Sequence, residues 1–246
     1  MILNLAAYHF APIDDPEALV AAVREQAERG ELRGTVLVAG EGINLFLAGA
    51  GPALNMFLDW LRADMRFASM PIKLSHSARQ PFARLKVKLK REIIAFRRDE
   101  ASPLSGRAPH ITPEELARWL DQGHDDAGRP VRLVDTRNRE EVRYGTFRDA
   151  LTLPIDNFTE LPDALTPHRE ALRETTVIPF CTGGIRCEKV ALWMQSAGFE
   201  HVRQLEGGIL GYFEHVGGRH YDGRCFVFDQ RVALDPELQP LVDAAG

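Results

Sequence analysis

Val177-Ile178-Pro179-Phe180-Cys181-Thr182-Gly183-Gly184-Ile185-Arg186-Cys187-Glu188-Lys189-Val190-Ala191-Leu192-Trp193-Met194 decides how the second half of this chain folds. An apolar run of strand length ends at a cysteine. A short Gly-containing loop follows, and a helical stretch begins at its far end. That order makes a cysteine reactive. Glycines let the backbone turn inward without a Cβ clash. Successive amides then point at one atom and form an anion-binding nest, and the helix start adds partial positive charge. The thiolate is the nucleophilic form, and such surroundings bring a free thiol from a pKa of about 8.5 to roughly 3.5–7.5. Arg186 adds a charge that does not titrate.

The segments on either side alternate between strand and helix patterns. Thr112-Pro113-Glu114-Glu115 is a helix start, with a Thr cap, Pro at the first position and Glu three residues after the cap. Residues 131–134 read as a strand ending at Asp135, 138–144 as a short helix, 151–153 as a short strand, and 202–205 as a strand before Gly207-Gly208. Such alternation implies a parallel sheet with helices on both faces. Functional loops then lie beyond the carboxyl ends of strands, where Asp135 and Cys181 both fall.

Residues 1–98 form a different unit. The patterning predicts a strand over 2–10, an amphipathic helix over 15–28, a hairpin of strands 35–39 and 43–48, a helix over 52–62 and a strand over 70–75. The order β-α-β-β-α-β is the ferredoxin-like split pattern, an α+β domain. Leu85-Lys86-Val87-Lys88-Leu89-Lys90 then alternates strictly, a half-buried strand with one cationic face. Residues 99–110 have linker composition. The second domain, with a C-terminal extension, is expected over 111–246.

The chain has 246 residues, 45% hydrophobic and 26% charged, the composition of an ordinary globular protein. Three cysteines without a CxxC pair predict no disulfide framework and no zinc spacing, and point to a reducing cytoplasm. No apolar run approaches the roughly 20 residues that cross a bilayer. The start of the chain reads as a strand rather than a leader. A net charge of −5 argues against bulk polyanion binding and leaves room for a local basic patch.

The second unit resembles a rhodanese domain at Asp135-Thr136-Arg137 with Glu141 and Gly145, at the loop from Cys181 to Arg186, and at Leu205-Glu206-Gly207-Gly208-Ile209. Rhodanese-type sulfurtransferases hold a sulfane sulfur in a loop of this size, whereas cysteine phosphatases have one more residue between Cys and Arg. The whole chain resembles the oxygen-dependent tRNA uridine hydroxylases, oxidoreductases that make 5-hydroxyuridine at the wobble position. The stretches that carry this are Glu41-Gly42-Ile43-Asn44, Pro81 onward through Arg84-Leu85-Lys86-Val87-Lys88-Leu89-Lys90-Arg91-Glu92, Asp135-Thr136-Arg137-Asn138, the nine residues from Cys181, and Cys225-Phe226-Val227-Phe228-Asp229. Leu45-Phe46 stand where that family has small or polar residues. The chain stops soon after Asp235, without the Cys-rich tail of many members, so no metal of that tail is expected.

The resemblance implies a tRNA anticodon loop as partner, molecular oxygen as co-substrate and no other evident cofactor; no protein partner is predicted. Cys181 is then the catalytic residue and Thr182, Gly183, Gly184, Ile185 and Arg186 its cradle. Cys187 is a packing residue or a resolving thiol, and Cys225 is structural. Asp135, Arg137 and Glu141 form a network that shapes the pocket. His215 and His220 show no metal-ligand clustering. Lys86, Lys88, Lys90 and Arg91 are an RNA backbone track or a lysine-guarded sheet edge. The absence of dinucleotide, flavin and metal-triad motifs leads to a thiolate that adds to C6 of uracil and makes C5 reactive. Two other readings keep the same loop: a sulfurtransferase carrying a persulfide on Cys181, and a non-catalytic binding module.

Overall fold

The apolar periodicities of the first domain close into one sheet with two helices on one face. The computed structural model describes residues 1–241, and these fall into two units: Met1–Ala95 with Asp229–Arg231, and Phe96–Phe228 with Val232–Leu241. The first contains β1 (Ile2–Phe10), α1 (Pro16–Arg29), β2 (Arg33–Ala39), β3 (Gly42–Gly49), α2 (Gly51–Arg62), β4 (Ile72–Ser77) and β5 (Leu85–Leu89). The strand order is β4-β1-β3-β2-β5. β1, β3, β2 and β4 pair antiparallel, and β5 is added parallel to β2. The split β-α-β-β-α-β order expected from the sequence is present, with β5 as an extra edge.

Asp15 caps α1 by accepting from the Ala18 amide at 2.9 Å. Leu19, Val23 and Ala27 of α1 and Leu54, Phe57, Leu58 and Leu61 of α2 pack with Leu5, Val36, Val38, Leu45 and Val87. β4 starts at Ile72, two residues later than the patterning predicts. Pro71 has no N–H for the ladder, and Met70 turns into the core instead.

The second unit contains β6 (His110–Ile111), α3 (Pro113–Gln122), β7 (Val131–Asp135), α4 (Arg139–Val142), β8 (Gly145–Phe147), β9 (Leu151–Thr152), α5 (Leu161–Leu165), β10 (Thr176–Phe180), α6 (Ile185–Ser196), β11 (Gln204–Leu205), α7 (Gly208–Val216), β12 (Tyr221–Gly223), β13 (Cys225–Phe226) and β14 (Ala233–Leu234). β10, β7 and β9 form a parallel sheet in that order. β11 runs parallel to β6, and a parallel bridge joins Val177 to Val202. Every residue of β10 is buried, as befits a central parallel strand covered on both faces.

Thr112 caps α3 through the Glu115 amide at 3.2 Å. Residues 99–110, expected as a linker, lie inside the second unit, with Ala101 and Ala108 buried. Small apolar side chains inside a Pro/Ser/Gly-rich stretch are what let it lie down on the unit. No described helix is long and apolar enough to cross a membrane.

Candidate active site

β10 delivers Cys181 at its carboxyl end, and α6 begins four residues later. Gly184, with φ of 101°, sits in the left-handed region just before the helix, and its amide donates to Cys181 Sγ at 3.1 Å. The Arg186 amide donates to the same sulfur. Of the two loop glycines, only Gly184 has a positive φ. A Cβ on Gly183 would meet nothing within 4 Å, so its freedom is not needed for the turn.

The loop carbonyls are turned the other way. Cys181 O accepts from Ile209 N at 2.9 Å, and Thr182 O from Leu210 N at 3.0 Å. The first turn of α7 therefore holds the loop from behind and leaves its amides facing the sulfur. Gly208 permits this approach, because a Cβ there would lie 2.7 Å from Gly184 N and 2.9 Å from Thr182 O.

Burial pushes the Cys181 thiol up. A hydrogen bond with Cys187, the Arg186 charge and the Arg186 and Gly184 amides outweigh it and bring the thiol down to about 6. Cys187 moves the opposite way: burial and its hydrogen bond to Cys181 raise it well above the ordinary value. Cys187 therefore keeps its proton and shares it with the Cys181 thiolate, more than the packing role alone. Cys225 is buried, and burial pushes it up to about 12, so it stays an inert thiol. No described cluster of three or more His, Cys, Asp or Glu is placed to hold a metal. His215 and His220 instead face Glu114 at 3.2 Å and Asp121 at 2.9 Å.

The acidic and basic residues at the end of β7 and beyond it form two hydrogen-bonded pairs. Arg137 donates to Asp135 at 2.9 and 2.7 Å and to Gly145 O at 2.6 Å. Thr146 donates to Asp135 at 2.7 Å. Glu141 accepts both terminal nitrogens of Arg186 at 2.6 Å each, the Thr182 hydroxyl at 3.3 Å and the Asn138 amide at 3.1 Å. All four charged side chains are buried. The Glu141 carboxylate is raised by burial, but the Arg186 charge and hydrogen bonds more than offset this and hold it below its usual range. Arg186 thus reaches Cys181 by its field and its amide, while its fork is occupied by Glu141.

The acidity of Cys181 has a direct readout. Alkylation by iodoacetamide, followed on the peptide holding Cys181, is expected to rise through pH 6 and to be flat by neutral pH. A rate still climbing beyond about pH 8, as for an ordinary thiol, would contradict the nest. The folded thiol is more acidic than the unfolded one. Its ionisation therefore adds stability at pH above the unfolded value, and that gain disappears as pH falls through about 6.

Residues 2–93 match the UPF0176 acylphosphatase like domain, and residues 112–215 the rhodanese-like domain. The tRNA uridine(34) hydroxylase of Xanthomonas axonopodis pv. citri is 68% identical over 244 residues, covering 99% of this chain and 98% of that protein. This chain belongs to the tRNA uridine(34) hydroxylase family. The Xanthomonas campestris pv. campestris relative is 67% identical over all of this chain and 97% of its own length. The relative from Xylella fastidiosa is 57% identical over 99% of this chain and 95% of its own length. The resemblance read from the motif stretches holds, as does the pairing of a ferredoxin-like split domain, here matched as acylphosphatase like, with a rhodanese-like one.

For a uridine hydroxylase of this family, two quoted motifs have structural work to do. Glu41 accepts from the Ile93 amide at 2.8 Å, and Asn44 donates to Ile93 O at 3.2 Å, so that turn clamps the chain after β5. Lys86, Lys88, Lys90 and Arg91 are all exposed, on or just after an edge strand of the first unit. The α7 amides behind the loop and the Glu141–Arg186 pair were not read from sequence. Gly207-Gly208 after a strand was the only signal for the first, and the second joins residues 45 apart.

Proposed function

We propose that this chain hydroxylates uridine 34 of tRNA at ring carbon C5, with molecular oxygen as co-substrate and Cys181 as nucleophile. The activity is that of the family to which nearly the full chain aligns. The role of Cys181 rests on one observation: its sulfur accepts an amide at 3.1 Å inside a loop that also holds Arg186 and a second thiol.

The thiolate adds to C6, and C5 becomes nucleophilic enough to take up oxygen as a hydroperoxide. Cys187 removes the distal oxygen as a sulfenic acid and leaves a hydroxyl on C5. Loss of the C5 hydrogen and of Cys181 from C6 restores the double bond. The freed Cys181 thiol condenses with the Cys187 sulfenic acid to give a disulfide and water. In sum, uridine, O2 and two thiols become 5-hydroxyuridine, water and one disulfide, which an external thiol must reduce before the next turnover. Cys181 is 1% exposed, so the ring meets the sulfur only after the residues above it move. The exposed Lys86, Lys88, Lys90 and Arg91 serve as contacts to the RNA backbone. A tRNA substrate and three free cysteines fit the cytoplasm.

The test is mass spectrometry of nucleosides from tRNA incubated with the purified chain, oxygen and a small thiol. Wild type is expected to form 5-hydroxyuridine and Cys181→Ser none. Changing Lys86, Lys88 and Lys90 together to Ala is expected to raise KM for tRNA and spare kcat. An active Cys181→Ser would end the reading. Sulfur transfer from thiosulfate to cyanide with tRNA left unchanged would replace it with the sulfurtransferase.

A further inference from the structure

The segment Cys225-Phe226-Val227-Phe228 alternates in burial, but the outward residues are not polar. Cys225 and Val227 are buried, Phe226 is half-buried and Phe228 is 63% exposed. A short strand, Cys225–Phe226, that runs into a bend with one phenylalanine half-buried and the next largely exposed presents an apolar surface without an intramolecular reason. The rings do not stand alone. Phe226 lies 5.0 Å from Phe228, edge to face at 89°, and 5.3 Å from Tyr144. The backbone fixes this ladder: Arg224 N donates to Tyr144 O at 2.7 Å, and Gly223 pairs with Gly145 across β12 and β8.

The ladder is continuous with the cradle of Cys181. Tyr144 comes three residues after Glu141, which accepts from Thr182 and Arg186. Cys225, next to Phe226, interacts through its sulfur with the Thr182 side chain. Arg143 is exposed beside Tyr144. An aromatic surface with a cationic neighbour at the rim of a nucleotide-modifying loop suits unpaired nucleotides, since every base has a π-face that an aromatic ring can cover.

We propose that Tyr144, Phe226 and Phe228 form a stacking platform for the unpaired bases that flank uridine 34, with Phe228 as the outermost step. This rests on the tRNA reading above and deepens it: the platform would present the target base to Cys181 by holding its neighbours. Recognition by stacking tolerates different bases, so the platform supplies affinity and placement rather than a code.

The experiment measures binding of an anticodon stem-loop RNA to the full chain carrying Cys181→Ser, so that catalysis plays no part. Phe228→Ala and Phe228→Leu are each expected to weaken binding about tenfold, within the range for loss of one base–aromatic stack, and Phe228→Trp to restore it. Phe228 is largely exposed, so these variants should fold, and circular dichroism checks that. RNAs abasic at position 33 or at position 35 supply the second arm. The abasic site that removes the stacked neighbour should weaken binding to the Cys181→Ser chain as much as Phe228→Ala does, and Phe228→Ala should then cost nothing more. Full-strength binding by Phe228→Ala overturns the platform, and so does an unchanged loss on both abasic RNAs. A dimer that Phe228→Ala dissociates also overturns it, in favour of a surface that covers a second copy. If wild type fails to hydroxylate tRNA while the abasic coupling holds, the catalytic reading fails alone. If hydroxylation stands and the coupling is missing, the platform fails alone.

Discussion

Glu141→Ala is expected to cost about 3–5 kcal/mol of folding stability, read as the shift of the urea midpoint at constant slope. The reason is the asymmetry between making and breaking a buried ion pair. Arg186 is 6% exposed and gives both terminal nitrogens to Glu141 at 2.6 Å. Removing the carboxylate leaves a guanidinium in the protein interior that can neither lose its proton nor reach water. The Thr182 hydroxyl and the Asn138 amide lose an acceptor in the same change. Replacing both partners, Glu141→Leu with Arg186→Met, is expected to recover most of the stability, because no uncompensated charge remains. It should not recover the acidic thiol, since the Arg186 charge is one of the forces that bring Cys181 down. The double variant would thus be folded, slow to alkylate near neutral pH and without hydroxylase activity. The pH dependence has a fixed sign. Glu141 is held below its usual range in the folded state, so its contribution is complete above the unfolded pKa and lost as pH falls through the folded value. A Glu141→Ala variant within about 0.5 kcal/mol of wild type would mean that the pair is dispensable to the fold.

Local signals were legible in this chain, and pairings across distance were not. The cap at Thr112 and the strand–loop–helix at Cys181 each lie within a few residues, where spacing alone dictates geometry. The split α+β topology could be read because alternation and helical period change cleanly at Gly and Pro positions. The edge position of β5 was half readable: its alternation showed a one-sided strand, but only the register Thr35–Lys86 and Leu37–Lys88 shows that it joins β2 in parallel. Asp135, Arg137 and Glu141 were read as one network. Its hydrogen bonds divide in two, because Arg137 folds back onto Asp135 two residues away and leaves Glu141 for an arginine from another element, while the Arg137 charge still acts on Glu141. The aromatic ladder was hidden for a similar reason. Tyr144 and Phe226 meet only because β12 brings the chain back to β8. Residues 99–110 fall between the two matched domains, and the burial of Ala101 and Ala108 within them was not legible, since both look like any small residues in a Pro/Ser/Gly stretch.

Gly208→Ala is expected to disable the site, and Gly183→Ala to leave it nearly intact, although Gly183 lies in the reactive loop and Gly208 does not. Gly208 has φ of 62°, a conformation that costs a residue with a Cβ about 1–3 kcal/mol before any collision is counted. The collision itself is with backbone. The new methyl would press on the Cys181 carbonyl and lie 2.7 Å from the Gly184 amide, the same amide that donates to the Cys181 sulfur at 3.1 Å. Neither atom can swing aside as a flexible side chain would. Relief requires α7 to back away, which lengthens the bonds from Ile209 N and Leu210 N to the loop carbonyls. Once those carbonyls are released, the amides no longer converge on the sulfur. A misplacement of this kind costs about a hundredfold in rate. The loss should appear in kcat, with tRNA binding little changed, and the alkylation profile of Cys181 should move toward that of a free thiol. Gly183 has neither a positive φ nor an atom within 4 Å of an added Cβ, so its Ala variant should keep both the profile and the rate. Equal rates for the two variants would show that α7 does not hold the loop. A damaged Gly183→Ala beside a healthy Gly208→Ala would show that the amides are set by the loop alone.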